Sequence, residues 1–106
     1  MIPPIDAVVS VHLNAMTCGT AKWSQQLAAR MGVPLVDVPS ASRYQHPLYS
    51  VRYGELHQAY PLRALQRPFS VIWHDRYPQQ SAYHALAEQV WYADELGAPS
   101  TLRAAS

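Results

Sequence analysis

The sequence predicts a single α/β domain, Rossmann-like and three layers deep, in which helices flank a small and mostly parallel sheet. This fold class follows from the order of the segments in the first third of the chain. An apolar segment at residues 7–13 is followed, after a polar turn, by an amphipathic segment at 21–31 and a second apolar segment at 33–38. A strand, a helix and a strand in this order imply parallel strands joined by a right-handed crossover. The length of 106 residues allows one such domain, placed at residues 1–97, with a flexible tail at 98–106.

The composition is globular and poor in charge. Hydrophobic residues make up 49% of the chain, charged residues 14%, and the formal net charge is +1. The basic residues are scattered, which argues against the basic patch of a nucleic-acid-binding protein. A single cysteine cannot form a disulfide within the chain, and the sequence has neither a signal-peptide pattern nor an apolar run as long as a membrane span. We therefore expect a cytoplasmic protein whose low charge favours association with another protein chain.

The first predicted unit begins with the strand at residues 7–13 and continues into the helix at 21–31. The strand is short, β-branched and nearly all apolar, which is typical of a central parallel strand. On this strand we interpret His12 as a core histidine with its polar atoms satisfied. Either Thr17 or Thr20 caps the helix, because both hydroxyls can accept hydrogen bonds from free backbone N–H groups.

The end of this helix and the segments that follow it are marked by glycine and proline. Gly32 is suited to the position just after a helix C-terminus. Residues 33–38 form the second predicted strand, which Pro39 terminates. Residues 39–50 are rich in Ser, Pro and Tyr and are expected to form a loop. Residues 48–53 alternate weakly, so they form either a short strand or an extended connection.

The second half of the chain predicts a helix, a strand and a helix. The helical pattern covers residues 54–66 and is broken or restarted at Pro61. Residues 69–73 form the third strand, and Ser81 caps a last helix at 82–96. We expect Gly97 to end that helix. The residues expected on its buried face are Tyr83, Leu86, Ala87, Val90 and either Ala93 or Asp94.

The turn between the first strand and the first helix is a candidate ligand site. It lies beyond the carboxyl end of a strand, where parallel sheets bind ligands, and it precedes a helix N-terminus with free N–H groups. Gly19 allows the backbone to approach a phosphate or carboxylate. Because the turn has neither the glycine-rich dinucleotide pattern nor a P-loop lysine, it can equally serve as a turn and helix cap alone. The candidate ligand-binding residues are Asn14, Thr17, Cys18, Gly19 and Thr20.

Cys18 stands beside the predicted helix N-terminus, where a thiolate would be stabilised. A cysteine in this place can act as a nucleophile or as a phosphoryl carrier. No motif in the sequence pairs it with a base, so a small, buried and inert residue is the alternative.

His74 and Asp75 follow the third predicted strand and are the candidate catalytic residues. A histidine at a strand end can hydrogen-bond a ligand hydroxyl or transfer a proton, and a nearby carboxylate can orient its ring. Alternatively, the pair is a polar strand end in which Asp75 starts a turn before Pro78. The other histidines lack metal-ligand spacing, so no metal site is expected.

Four segments of the chain are similar, in order, to segments of one known family. They are residues 14–35 (NAMTCGTAKWSQQLAARMGVPL), 46–56 (HPLYSVRYGEL), 69–75 (FSVIWHD) and 85–96 (ALAEQVWYADEL). Together they resemble the N-terminal half-domain of retaining GT-B glycosyltransferases of the group 1/4-like type. The sequence departs from the family at Thr20, where a hydrophobic residue is usual.

The resemblance implies a domain that binds the acceptor, while a second, C-terminal domain holds most of a nucleotide-sugar donor. It also implies that Cys18, Gly19 and Thr20 approach the donor phosphates and that His74 lies against the reacting sugar. A truncated half-site cannot hold donor against acceptor. We therefore expect a split-enzyme half or accessory subunit, not active alone, that binds no cofactor tightly, contacts a nucleotide-sugar donor and acts with another protein chain.

Two other functions stay open from the sequence. One is a small phosphocarrier resembling phosphotransferase IIB domains, with Cys18 as the phosphorylated thiol. The other is a non-enzymatic interaction module that self-associates. Its contact would involve the neighbouring Trp91 and Tyr92, which cannot both face inward from the last predicted helix.

Overall fold

The computed structural model describes residues 4–14, 19–59, 65 and 68–96. It contains a five-stranded, all-parallel sheet in the order β2-β1-β3-β4-β5. The strands are β1 (Ala7–Val9), β2 (Leu35–Val36), β3 (Pro47–Val51), β4 (Ser70–Trp73) and β5 (Val90–Tyr92). The helices are α1 (Gly19–Met31), α2 (Tyr53–Ala59), α3 (Ser81–His84) and α4 (Ala93–Leu96). The predicted Rossmann-like α/β fold class is thereby confirmed.

Separate apolar clusters cover the two faces of the sheet, because successive residues of a strand point to opposite sides. On the face that carries α1, Leu27 and Met31 pack with Val8, Leu48 and Ile72. The cluster on the opposite face draws on β1, β3, β4, α2, α3 and connecting segments, and includes Tyr49, Leu56, Phe69, Trp73 and Tyr83. Burying one such large apolar side chain contributes about 1.5–3 kcal/mol.

The predicted first unit is confirmed by helix α1 and by the parallel pairing of β1 with β2. Small and apolar residues recur every three or four positions on its buried face: Thr20, Ala21, Ser24, Leu27, Ala28 and Met31. The helix begins at Gly19, earlier than predicted, and ends where Gly32 adopts a φ of 70°. That φ lies in the left-handed region, which glycine enters without a steric cost.

The prediction of a loop at residues 39–50 is wrong in its second half, whereas the alternative of a short strand within residues 48–53 is confirmed. A short 3₁₀ turn at Pro39–Arg43 is followed by β3, which pairs with β1 and β4 and is buried along its whole length. The sequence of β3 gives only a weak strand signal, because Pro47 begins the strand and Ser50 interrupts its apolar residues. The carboxylate of Asp6 fixes the entry to β3 by accepting the backbone N–H groups of Gln45 and His46.

The predicted helix at 82–96 is also wrong. The structure has the short helix α3, the strand β5 and the short helix α4 in its place. β-Branched and aromatic residues at Val90–Tyr92 favour a strand, and these residues pair with β4. Leu86, expected on the buried face, is 38% exposed, and Ser81 lies inside α3, after the N-cap residue Gln80.

Trp91 and Tyr92 are neighbours on a strand and not on a helix, which corrects the expectation that one of them is exposed. Their side chains point to opposite faces, and both are half-buried. The second predicted helix is observed as α2, shorter than 54–66 where it is described. Pro61, Gly97 and the predicted tail at 98–106 lie outside the described residues. Among the helices that the structure describes, none has the length and apolar content needed to cross a bilayer.

Candidate functional site

The carboxyl edge of the sheet contains the point at which the strand order reverses. The chain passes from β1 to β2 on one side and then to β3 on the other side of β1. Ligands of open parallel sheets bind beyond the strand ends at such a reversal. A cavity of about 510 Å³ lies at this point, lined by Val11, His12, Leu13, Asn14, Gly19, Arg52 and Glu55.

A second cavity continues along the same edge toward β4. Its volume is also about 510 Å³, and it is lined by Arg52, Tyr53, Gly54, Glu55, Asp75, Tyr77 and Gln79. Arg52 and Glu55 line both cavities, so the two are adjacent, and we call them together the carboxyl-edge cleft. Next to it, a smaller cavity of about 130 Å³ is lined by Trp73, His74, Asp75, Arg76 and Asp94.

Glu55 on α2 contacts both Arg52 and His12 at the centre of the carboxyl-edge cleft. Its carboxylate lies 3.6 Å from Nη1 of Arg52 and 3.0 Å from Nε2 of His12. The Nε of Arg52 donates to Oγ1 of Thr20 on helix α1, at 3.2 Å. The prediction that His12 is a core residue is wrong, because β1 ends at Val9 and the His12 side chain is 58% exposed.

His74 sits immediately after β4, and its ring is hydrogen-bonded into the protein interior. Its Nε2 lies 2.8 Å from Oγ of Ser50, which lies 2.7 Å from Oγ of Ser24. The Trp23 and His74 rings lie nearly perpendicular to each other, with centroids 4.8 Å apart. Burial, together with the positive charge of Arg52, lowers the pKa of His74 to about 4. The imidazole is therefore neutral at pH 7.

Asp75 anchors the start of helix α2. Its two carboxylate oxygens accept the backbone N–H of Tyr53, and one of them also accepts Nε2 of Gln80, at 2.9 Å. Gln80 is almost fully buried, so this contact satisfies a polar group that has little access to water. Asp75 thus holds one wall of the carboxyl-edge cleft in place, and its role in proton transfer stays a prediction.

Aromatic side chains form the wall of the cleft near β4. The Tyr53 ring stacks on His57 with centroids 5.2 Å apart and lies 5.9 Å from the Tyr77 ring. Tyr77 is 53% exposed, which is high for a large aromatic side chain that lines a cavity. A flat ring open to solvent beside hydrogen-bonding groups can stack against a planar ligand or against the apolar face of a sugar.

The structure brings part of the predicted turn site to this cleft. Asn14 and Gly19 line its first cavity, and Thr20, which is buried, accepts the hydrogen bond from Arg52. Thr17 and Cys18 lie outside the described residues. Over the described ranges, no cluster of three or more His, Cys, Asp or Glu side chains is arranged to hold a metal ion.

Sequence reading missed Arg52, Tyr53, Glu55 and Tyr77. The first three follow β3. The weak alternation at residues 48–53 left a strand and an extended connection open, so it did not place Arg52 at the carboxyl end of a strand. Tyr77 follows β4 in the same segment as His74 and Asp75, but only those two were named as site residues.

The chain was compared with protein-family models, with curated proteins and with solved structures. None of these three comparisons returned a match. What is known of the site therefore comes from its own residues: a neutral histidine at a strand end, an Arg–Glu–His cluster and an exposed tyrosine.

Proposed function

We propose that this chain is the acceptor-side domain of a GT-B-type glycosyltransferase and that it works together with a donor-binding domain. The observation that carries the proposal is the position of His74. It is a neutral imidazole at the carboxyl end of β4, and it lies beside the carboxyl-edge cleft. An uncharged ring of this kind suits hydrogen bonding to a sugar hydroxyl better than ion pairing with an anion.

The surrounding residues supply the other contacts that a sugar acceptor needs. Tyr77 offers a ring face, while Arg52 and Glu55 offer a donor and an acceptor of hydrogen bonds. A sugar presents both an apolar C–H face and hydroxyl groups, so a cleft of this mixed character fits it. Alcohols and phenols of similar size share part of this chemistry and belong in the same binding screen.

The nucleotide-sugar donor is expected to approach from the side of helix α1. The N-terminus of this helix carries the positive end of its dipole, and Arg52 adds a positive charge beside Thr20. Gly19 leaves open space, since a Cβ added there would meet no atom within 4 Å. In our proposal the donor phosphates meet the N-terminus of α1 at Gly19. A donor-binding domain then holds most of the nucleotide.

The proposal predicts that activity depends on a second domain. Glycosyl transfer requires the reacting atoms to be held together, and a bound pair reacts faster than separate molecules because translational freedom is already lost. In our proposal one domain positions the acceptor and the other the donor. We therefore expect this chain by itself to bind ligands weakly and to transfer no sugar.

The test is a binding screen with the purified chain, alone and mixed with GT-B donor-binding domains. A panel of nucleotide-sugars and simple glycosides is titrated by NMR, with His74→Gln as the site variant. His46→Gln is the matched control, because His46 precedes β3 and lies at the opposite edge of the sheet. We expect binding that is weakened by His74→Gln and unchanged by His46→Gln. If no member of the panel binds in any mixture, the proposal is wrong.

A second proposed role is association with another chain through the edge strand β5. On one side it pairs with β4, and on the other side the described part of the chain provides no strand. Its residues Trp91 and Tyr92 are only half-buried. An apolar, short strand at a sheet edge can take up a further strand from a partner. Size-exclusion chromatography with light scattering over a range of concentrations tests this, and a monomer throughout would count against self-association.

A further inference from the structure

A chain of buried hydroxyl groups connects helix α1 with the ring of His74. Ser24 on α1 and Ser50 on β3 are both fully buried. The Oγ of Ser24 lies 2.7 Å from the carbonyl oxygen of Thr20 and 2.7 Å from the Oγ of Ser50. The Oγ of Ser50 lies 2.8 Å from Nε2 of His74. Three short contacts therefore run in series from the first turn of α1 to the strand end.

Counting protons fixes the direction of this series. A carbonyl oxygen only accepts hydrogen bonds, so the single hydroxyl proton of Ser24 points to Thr20. The Oγ of Ser24 must then accept the proton of Ser50. Ser50 is left with lone pairs toward the imidazole, and Nε2 of His74 has to be the donor. The opposite direction would leave two acceptors, the Ser24 Oγ and the Thr20 carbonyl oxygen, facing each other at 2.7 Å without a proton.

The direction matters because the imidazole is neutral. A neutral histidine carries one N–H, so a proton on Nε2 leaves Nδ1 with a lone pair. Burial and the nearby charge of Arg52 keep the ring in this form, with a pKa of about 4. The partially exposed ring lines the small cavity next to the carboxyl-edge cleft.

We propose that Ser24 and Ser50 are positioning residues that hold His74 in the Nε2–H tautomer, so that Nδ1 is a hydrogen-bond acceptor. A ligand group that meets Nδ1 must then donate a proton. A hydroxyl does so, whereas a phosphate or carboxylate oxyanion is repelled by the lone pair. The choice of hydroxyl ligands rests on the proposed function, while the tautomer depends only on the hydrogen bonds within the chain.

The experiment records long-range ¹H–¹⁵N correlations of the His74 ring at about pH 7, because the ¹⁵N shifts and coupling pattern report which nitrogen carries the proton. The samples are the full chain and its Ser24→Ala and Ser70→Ala variants. Ser24→Ala frees the Ser50 proton to point at Nε2, and alanine is well tolerated in a helix. Ser70 is the matched control, a buried serine at the other end of β4 that lies outside the hydroxyl series.

We expect the Nε2–H tautomer to dominate in the full chain and in Ser70→Ala, and the Nδ1–H population to rise several-fold in Ser24→Ala. A dominant Nδ1–H tautomer in the unmodified chain would overturn the inference, even if a variant fails to fold. An Nε2–H ring that is unchanged in Ser24→Ala would show that the serines do not fix it. The tautomer measurements involve no ligand, so a failed binding screen does not contradict the proposed tautomer. In the same way, an unexpected tautomer does not contradict ligand binding.

Discussion

Both carboxylate oxygens of Asp75 accept the backbone N–H of Tyr53, at distances of 3.1 and 3.0 Å. This contact ties the segment after β4 to the first residue of helix α2. It also anchors the backbone of Tyr53, whose ring forms part of the aromatic wall of the carboxyl-edge cleft. One carboxylate therefore serves the stability of the fold and the shape of the site at the same time.

Replacing Asp75 by alanine is expected to lower the free energy of unfolding by about 2–4 kcal/mol. The change removes the acceptor at the start of α2 and leaves the buried amide of Gln80 without one of its partners. Urea unfolding measures it. Asp94→Ala is the control, since Asp94 is exposed and forms a surface ion pair with Arg76, for which we expect a change of less than about 1 kcal/mol. Equal stability of the two variants would contradict the anchoring role.

The low pKa of His74 predicts that acid destabilises the protein. Its folded-state pKa of about 4 lies below the ordinary value of 6.5, so the unfolded chain takes up the proton first as the pH falls. The free energy of unfolding is therefore unaffected by the protonation of His74 above about pH 6.5. It falls between about pH 6.5 and about pH 4, by at most about 3 kcal/mol. Burial also lowers the pKa of His84, which adds a loss of the same sign.

Urea unfolding at several pH values, with His74→Gln as the comparison, isolates this contribution. The variant cannot titrate at residue 74, so its unfolding free energy should fall less steeply across the window while the contribution of His84 remains. Parallel pH profiles for the full chain and the variant would show that His74 does not have a depressed pKa.

The corrected course of the chain after Ser81 is tested by two leucines. Leu27 is fully buried on the inner face of α1, whereas Leu86 follows α3 and is 38% exposed. Leu27→Ala should cost about 2–5 kcal/mol of unfolding free energy, and Leu86→Ala less than about 1 kcal/mol. Urea or thermal unfolding of both variants provides the comparison. A large loss in Leu86→Ala would favour the long helix at 82–96, in which Leu86 would face the core.

Cys18→Ser distinguishes the proposed function from the phosphocarrier alternative. A phosphocarrier requires the thiol, so the change would abolish phosphoryl transfer from a phosphorylated donor protein. An acceptor-side domain needs no thiol, and we expect the variant to bind ligands as the unmodified chain does. The readouts are ³²P transfer and the NMR titration. Transfer to the unmodified chain that disappears in Cys18→Ser would sink the proposal.

The first unit of the fold follows from local patterns that no tertiary contact overrides. Buried positions spaced by three and four residues predict α1, and Gly32 marks its end because the left-handed backbone there suits glycine. β3 and β5 behave differently. Each is short, and their burial depends on neighbouring strands that are distant in sequence, so a few residues cannot distinguish strand from loop or helix.

The site, like the fold, was predictable only in part from the sequence. The rule that ligands bind beyond strand ends selects Gly19, Thr20 and His74 from the sequence. It does not select Arg52 and Glu55, because the sequence left a strand and an extended connection equally open at residues 48–53, just before them. The serines of the hydroxyl series carry no sequence signal at all, since only the packing of α1 on β3 brings Ser24 and Ser50 together.

The all-parallel sheet also sets the order in which the chain can become ordered. Parallel neighbours cannot be joined by a tight turn, so every pairing closes a long loop before any ladder hydrogen bond is gained. β3 lies between β1 and β4, which means that the centre of the sheet cannot form until Val51 has been synthesised. Until then only α1 covers β1 and β2. Their remaining apolar residues are exposed to solvent and can associate with other unfolded chains. Refolding should therefore be slower than that of a helical domain of this size.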